Sequence, residues 1–156
     1  GVISSLSDEH YTRQPVGPVQ SSISSHVRHS LDHFRAMLLA AEVGELNYDR
    51  RDRESVIQRD RAAALAEIDR LVSAVEALTP LQIQAQVAMT TLLTADGAPD
   101  HFQTHIQREI GYVISHTIHH NALMAFMMRL MGLVPPDRFG YAPSTILHEV
   151  TRSCVR

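Results

Sequence analysis

Histidines form two groups in this chain of 156 residues, which contains ten histidines in all. On an α-helix the first group falls within an arc of about 60°, because each residue turns the helix by about 100°. Two members of the second group, His116 and His120, stand one helical turn apart on a single face. Two helices that bring these faces together could hold a metal ion, since neutral imidazole is the commonest protein metal ligand. The groups consist of His26, His29 and His33, and of His116, His119 and His120.

A polar line runs along the second of these predicted helices and continues into the apolar Leu123 and Met127. Polar groups that share a line with core residues must be hydrogen-bonded or bound to something. Single interior histidines are usually bonded to neighbours, whereas two facing groups favour a metal with one coordination position left open. The members of the line, at spacings of four, three, four and four residues, are His105, Glu109, Tyr112, His116 and His120.

Three further side chains are candidates for a supporting or catalytic role. Glu109 can be another ligand, a general base or a hydrogen-bond partner of a ligating imidazole, and the last is preferred. Tyr112 can donate to a bound substrate, although a core tyrosine with a satisfied hydroxyl is the simpler interpretation. Asp32, beside His29, can orient an imidazole or be a solvated acid. The arginines of the mixed-charge connection, Arg50, Arg51 and Arg53, can bind an anion but more simply face solvent.

Apolar spacing and capping residues predict the elements that position these side chains. A short helical piece over residues 5–11 opens the chain, and a helix capped by Ser21 or Ser22 runs to Glu42 before Gly44. A small β-hairpin with an Asp96-Gly97 turn precedes the last long helix, which Thr104 and Gln107 open as a capping box and which runs to Gly132. The two other predicted helices cover residues 54–77 and 144–152.

Composition limits the functional classes. One domain over residues 1–156 is expected, and Cys154 as the only cysteine excludes an internal disulfide and cysteine-based zinc sites. A formal net charge of −3 gives no electrostatic basis for binding nucleic acid. No stretch approaches the roughly 20 apolar residues of a membrane span, and the first residues lack the features of a secretory signal. We therefore expect a cytoplasmic protein that binds neither nucleic acid nor membrane.

Two segments resemble the DinB-like (DinB/YfiT-like) superfamily: residues 24–33, Ser-Ser-His-Val-Arg-His-Ser-Leu-Asp-His, and residues 116–123, His-Thr-Ile-His-His-Asn-Ala-Leu. The resemblance implies an all-α four-helix bundle, here with a shortened first helix and a small β-hairpin or irregular insertion before the last long helix. It also implies one metal-binding histidine on one helix and an H-x-x-x-H pair on the last. By position the ligands are His29, His116 and His120. The histidines in excess of these three, which are possible additional ligands, are His26, His33, His105 and His119.

The resemblance implies a metal-dependent enzyme acting on a small molecule, because members of this kind include thiol-dependent S-transferases. Zinc is the first expectation for the divalent metal, with iron, nickel or manganese as alternatives. The open position would bind a low-molecular-weight thiol in an S-transferase or water in a hydrolase. Thr117 stands where H-E-x-x-H proteases carry glutamate, which disfavours a peptidase. The surplus histidines support an alternative, a non-catalytic metal-binding or stress-associated module that buffers or senses metal. A homodimer is a candidate assembly.

Overall fold

The computed structural model describes residues 1–17, 19–50 and 55–153. Within these ranges the chain is mostly helical but also contains a three-stranded sheet, so the expected all-α class is wrong in that respect. A 3₁₀-helix covers Val56–Gln58. The seven α-helices of the described residues are α1 (Val2–Ser5), α2 (Asp8–Thr12), α3 (Ile23–Val43), α4 (Arg61–Glu76), α5 (Pro80–Gln84), α6 (Ile106–Leu130) and α7 (Pro143–Ser153).

Helix α3 has the bounds that its capping residues predict. The Ser22 hydroxyl accepts from the Ser25 backbone N–H, and the Ser25 hydroxyl accepts from the Ser22 backbone N–H, which completes a capping box. At the other end Gly44 adopts the left-handed conformation with φ 79°, and its N–H donates to the Ala40 carbonyl. The position of the first histidine group is therefore fixed by local sequence signals.

The observed starts of α4 and α6 differ from the predicted ones. Helix α4 begins at Arg61 rather than at residue 54, because the Asp60 carboxylate accepts from the N–H groups of Ala62 and Ala63; residue 54 itself lies outside the described ranges. Thr104 does not cap α6. Its hydroxyl donates to the Glu109 carboxylate at 2.6 Å, and α6 starts after His105, which makes no side-chain capping bond.

The first segment forms two short helices instead of the single piece expected over residues 5–11. The chain leaves α1 at Leu6, and Ser7 begins α2 by accepting from the His10 N–H. Tyr11 is fully buried, and its hydroxyl donates to the Ile57 carbonyl at 2.8 Å. This bond holds α2 against the 3₁₀-helix that leads into α4.

The sheet consists of β1 (Glu45–Leu46), β2 (Gln86–Leu92) and β3 (Pro99–His105). Strands β2 and β3 form the predicted antiparallel hairpin, with pairs from Gln86 opposite His105 to Leu92 opposite Pro99. Strand β1 was not predicted; it pairs parallel to β2 directly after α3 ends. The hairpin also starts later than predicted. Apolar residues alternate with polar ones from Ile83 to Met89, which indicates a strand, but Thr79 caps the short helix α5 over Pro80–Gln84.

Helix α3 lies at the centre of the fold and packs against both α4 and α6. One apolar cluster fills the space among these helices, and a second lies between α3, α6 and the sheet. The seam between α3 and α6 carries both histidine groups. Within the described ranges no helix combines the length and apolar character that crossing a membrane requires.

Candidate metal centre

Three histidine nitrogens from two helices converge at the seam between α3 and α6. Nε2 of His29 lies 2.9 Å from Nε2 of His116, and Nε2 of His116 lies 3.1 Å from Nε2 of His120. His29 comes from α3, and the other two stand one turn apart on α6. The structure therefore brings together the three residues that the sequence singles out as ligands.

Nε2 of His116 lies between the Nε2 atoms of two other imidazoles. Each imidazole nitrogen has a single in-plane position, which holds either one proton or one lone pair. His116 Nε2 can therefore form one good bond, to His29 or to His120, but not to both. A cation would accept three lone pairs together, and ligands about 2.0–2.1 Å from a tetrahedral zinc ion lie roughly 3.4 Å apart. Two of the three separations among these nitrogens, 2.9 and 3.1 Å, are close to that value, and imidazole nitrogens are donors that suit divalent metals.

His33 is a further candidate ligand. It is buried, and its Nδ1 lies 2.9 Å from the His29 carbonyl oxygen. A carbonyl oxygen only accepts, so Nδ1 carries the proton and, in the neutral ring, Nε2 carries the lone pair, the tautomer that binds metals through Nε2. One nitrogen each from His29, His33 and His116 lie within 4.8 Å of one another. His33 and His120 are therefore alternative partners for His29 and His116 in a three-nitrogen site.

The remaining histidines of the two predicted sets differ in position. His26 contacts His120, with 2.7 Å between the two Nδ1 atoms. His119 is exposed, and its ring centre lies 5.3 Å from that of His120. His105 is also exposed and lies at the end of β3 beside Gln84 and Arg108. It is outside the histidine cluster, which consists of His26, His29, His33, His116 and His120.

Burial lowers the pKa of two of these rings. Together with the smaller effect of the charge of His116 and of other nearby histidines, it lowers the pKa of His120 to about 4. Burial also lowers the pKa of His26, with a smaller contribution from His119. Neutral imidazole is the form that binds a metal, so at neutral pH the site needs no deprotonation of these two rings.

Glu109 is connected to the histidine cluster through a buried tyrosine. It is fully buried and accepts from the hydroxyls of Tyr48 and Thr104 at 2.9 and 2.6 Å and from Arg108 at 2.9 Å. The Tyr48 ring stacks on that of His33, with centres 4.9 Å apart and planes 16° apart. Burial and the neighbouring Glu109 charge raise the pKa of Tyr48, so its phenol stays a donor. Glu109 thus contacts the cluster through Tyr48.

Tyr48 was not predicted as a site residue, although one feature of the sequence points to it. It is the only aromatic residue in the mixed-charge connection that follows α3, and an aromatic in a polar connection usually packs against the core. Buried tyrosines also need a partner for the hydroxyl, and the acid on the predicted inner line of α6 was available.

The other predicted residues border the cluster or lie elsewhere. Tyr112 is half-buried and stacks on His116, with ring centres 5.6 Å apart, while the Arg108 guanidinium lies 5.2 Å from the tyrosine ring centre. Asp32 accepts from Arg35 at 3.2 Å, and Arg50 is exposed. The predictions about Arg51, Arg53 and Cys154 fall outside the described residues.

Comparisons with known proteins show the family of the chain. The chain matches the model of the DinB family over residues 1–144. A crystal structure of a DinB-like protein, YjoA from Bacillus subtilis, superposes with a TM-score of 0.59 at 19% identity, covering 86% of this chain and 84% of that one. The chain is also 33% identical over 104 residues to "FK506-binding protein 5" of Rhizopus delemar, a match that spans 66% of this chain and only 27% of that protein. The chain therefore belongs to the DinB family.

Proposed function

We propose that this chain is a metal-dependent enzyme that holds one divalent ion, zinc in the first instance, through His29, His116 and His120. The observation that carries the proposal is the convergence of imidazole nitrogens from two helices, with Nε2 of His116 lying 2.9 Å from that of His29 and 3.1 Å from that of His120. Membership of the DinB family, many of whose members bind metals, supports it. Histidine ligands also suit iron, nickel and manganese to different degrees, so metal analysis decides the identity.

The proposed chemistry is activation of a small nucleophile. When bound, the ion would supply a Lewis acid that lowers the pKa of a thiol or of water at an open position. Imidazole binds a metal in its neutral form and adds no negative charge, so an ion held by three histidines would keep its affinity for an anionic partner such as a thiolate. Transfer of a low-molecular-weight thiol to an electrophilic small molecule is our first proposal. Hydrolysis is the second.

The chain's own residues have distinct proposed roles in this reaction. Tyr112 stacks on His116 and is only half-buried, so its hydroxyl is the candidate for orienting a substrate at the edge of the site. Glu109 has no exposed surface and accepts from three donors. We assign to it the support of Tyr48 and His33 rather than proton transfer.

The test compares ligand and neighbour variants of untagged protein. His116→Ala and His120→Ala each remove one Nε2 from the cluster, whereas His119→Ala removes an exposed ring on the same turn and is the matched control. Binding free energies of about 10–16 kcal/mol for four-ligand zinc sites correspond to roughly 2.5–4 kcal/mol per ligand. We therefore expect each ligand variant to bind zinc about 10²–10³-fold more weakly, and His119→Ala to bind it like the parent.

Activity is read from the same proteins with a panel of thiols and a generic electrophile. The proposal expects one ion per chain and turnover that falls with metal content in His116→Ala and His120→Ala. Failure of the parent protein to bind a divalent ion would refute the metal site. More than one tightly bound ion per chain, with stepwise losses as other histidines are removed and no turnover, would favour the non-catalytic module.

A further inference from the structure

We propose that Ser21 and His26 form a hydrogen-bonded chain that holds His120 in the tautomer whose Nε2 lone pair faces the metal site. His26 is then a positioning residue and not a ligand. The inference rests on the proposed metal site and adds two residues to it, one of them outside both histidine groups.

Both nitrogens of His26 are already engaged. Its Nδ1 lies 2.7 Å from Nδ1 of His120, and its Nε2 lies 2.8 Å from the Ser21 hydroxyl. These distances are typical of hydrogen bonds. No nitrogen of His26 remains for an ion, which distinguishes it from His33, whose Nδ1 donates to a backbone carbonyl while Nε2 carries the lone pair.

The direction of the chain follows from what a bound ion requires. If Nε2 of His120 gives its lone pair to a metal, the single proton of the neutral ring must lie on Nδ1. That proton is donated to Nδ1 of His26, so His26 carries its own proton on Nε2 and donates it to the Ser21 oxygen. The opposite direction places a proton on Nε2 of His120, where it would face the site and exclude an ion.

The start of α3 holds the outer end of this chain in place. Ser21 directly precedes Ser22, whose side chain and backbone form the capping box with Ser25. This box fixes the backbone next to Ser21 relative to the first turn of α3, which carries His26. A hydrogen bond from the second nitrogen of a ligating histidine commonly fixes its ring and tautomer, and its loss weakens metal affinity about 10–100-fold.

The experiment measures zinc affinity by chelator competition in the parent protein and in His26→Ala, His26→Asn, Ser21→Ala and the control His119→Ala. We expect His26→Ala to bind one zinc ion per chain about 10–100-fold more weakly. His26→Asn should recover much of the affinity, because its amide oxygen can accept from Nδ1 of His120. Ser21→Ala should show a smaller loss, since the bond to His120 remains. Circular dichroism checks that each variant is folded.

Two spectroscopic measurements distinguish positioning from ligation. In the zinc-loaded parent, long-range ¹⁵N–¹H correlation should show the proton of His120 on Nδ1 and that of His26 on Nε2. With cobalt in place of zinc, the visible absorption of His26→Ala should keep the parent's band positions and intensities. A changed cobalt spectrum, or a lost ion in His26→Ala, would make His26 a ligand and overturn the inference.

The outcomes also separate this inference from the proposed function. Zinc affinity of His26→Ala equal to that of His119→Ala, with normal binding by the parent, would overturn the positioning role alone. No zinc binding by the parent would overturn the proposed metal site, and the positioning role with it.

Discussion

Replacing Tyr48 by phenylalanine tests the support behind the histidine cluster. The change deletes the hydroxyl that donates to Glu109 at 2.9 Å and keeps the ring that stacks on His33. Both partners are buried, with exposed fractions of 7% and 0%, so water does not replace the lost donor. A hydrogen bond to a charged group contributes about 1.5–3 kcal/mol. Glu109 keeps Thr104 and Arg108 as donors, so we expect a loss within that range.

Thermal and urea unfolding of metal-free protein measure this loss. For a chain of this size about 1 kcal/mol corresponds to roughly 2–4 °C, so Tyr48→Phe should lower the melting temperature by about 3–12 °C. Tyr141 is 46% exposed and gives the matched control, because Tyr141→Phe should change stability by less than about 0.5 kcal/mol. Equal stability of Tyr48→Phe and the parent would refute the reasoning that this bond stabilises the fold.

Two further predictions concern pH and backbone geometry. Because burial lowers the pKa of His120 from 6.5 to about 4, the unfolded state binds its proton first as pH falls, so this contribution to stability is full above about pH 6.5 and is lost between about pH 6.5 and 4. Urea unfolding of metal-free protein should show a decline of up to about 3 kcal/mol from this group, and a His120→Asn variant that declines as steeply as the parent would contradict the assignment. Gly140 has φ 85°, and a Cβ there would lie 2.4 Å from the Ala122 nitrogen, whereas Gly97 has φ 83° and open space around it. Gly97→Ala should cost about 1–2 kcal/mol for its backbone conformation and Gly140→Ala about 1–3 kcal/mol more, so equal losses would refute the close packing of Gly140 on α6.

Helical spacing was sufficient to predict that the histidines of each group share one side of a helix, because a residue at every third or fourth position faces one way. The choice of His29 with the His116–His120 pair came from the resemblance to the DinB-like superfamily and not from spacing. The bounds of α3 were also predictable, because Ser22 and Gly44 act within one turn of the helix ends. The hairpin was predictable from its turn, since Gly97 adopts positive φ beside Asp96.

Partners that are distant in sequence could not be predicted in the same way. Thr104 and Gln107 fit a helix start by spacing, but the folded chain places Thr104 in β3 and directs its hydroxyl to the Glu109 carboxylate. The bond between His26 and His120 joins residues 94 positions apart. It depends on how α3 and α6 approach each other, and helical periodicity contains no information on that.

Other differences between the predicted and observed elements come from competing local signals. The alternating residues before the hairpin suit a strand, yet Thr79 and Pro80 start the helix α5 over part of that pattern. The stretch before Asp60 likewise suits a helix, although the capping bonds of Asp60 place the start of α4 later. In both cases a side chain that satisfies the first N–H groups of a helix decides where the helix begins.

A crystal of the protein grown with zinc tests the metal site most directly, with anomalous diffraction measured on both sides of the zinc absorption edge. We predict one anomalous peak per chain at the seam between α3 and α6, about 2.0–2.2 Å from Nε2 of His29, His116 and His120. A peak only at exposed histidines such as His105, or no peak at saturating zinc, would contradict the site on which the proposed function rests.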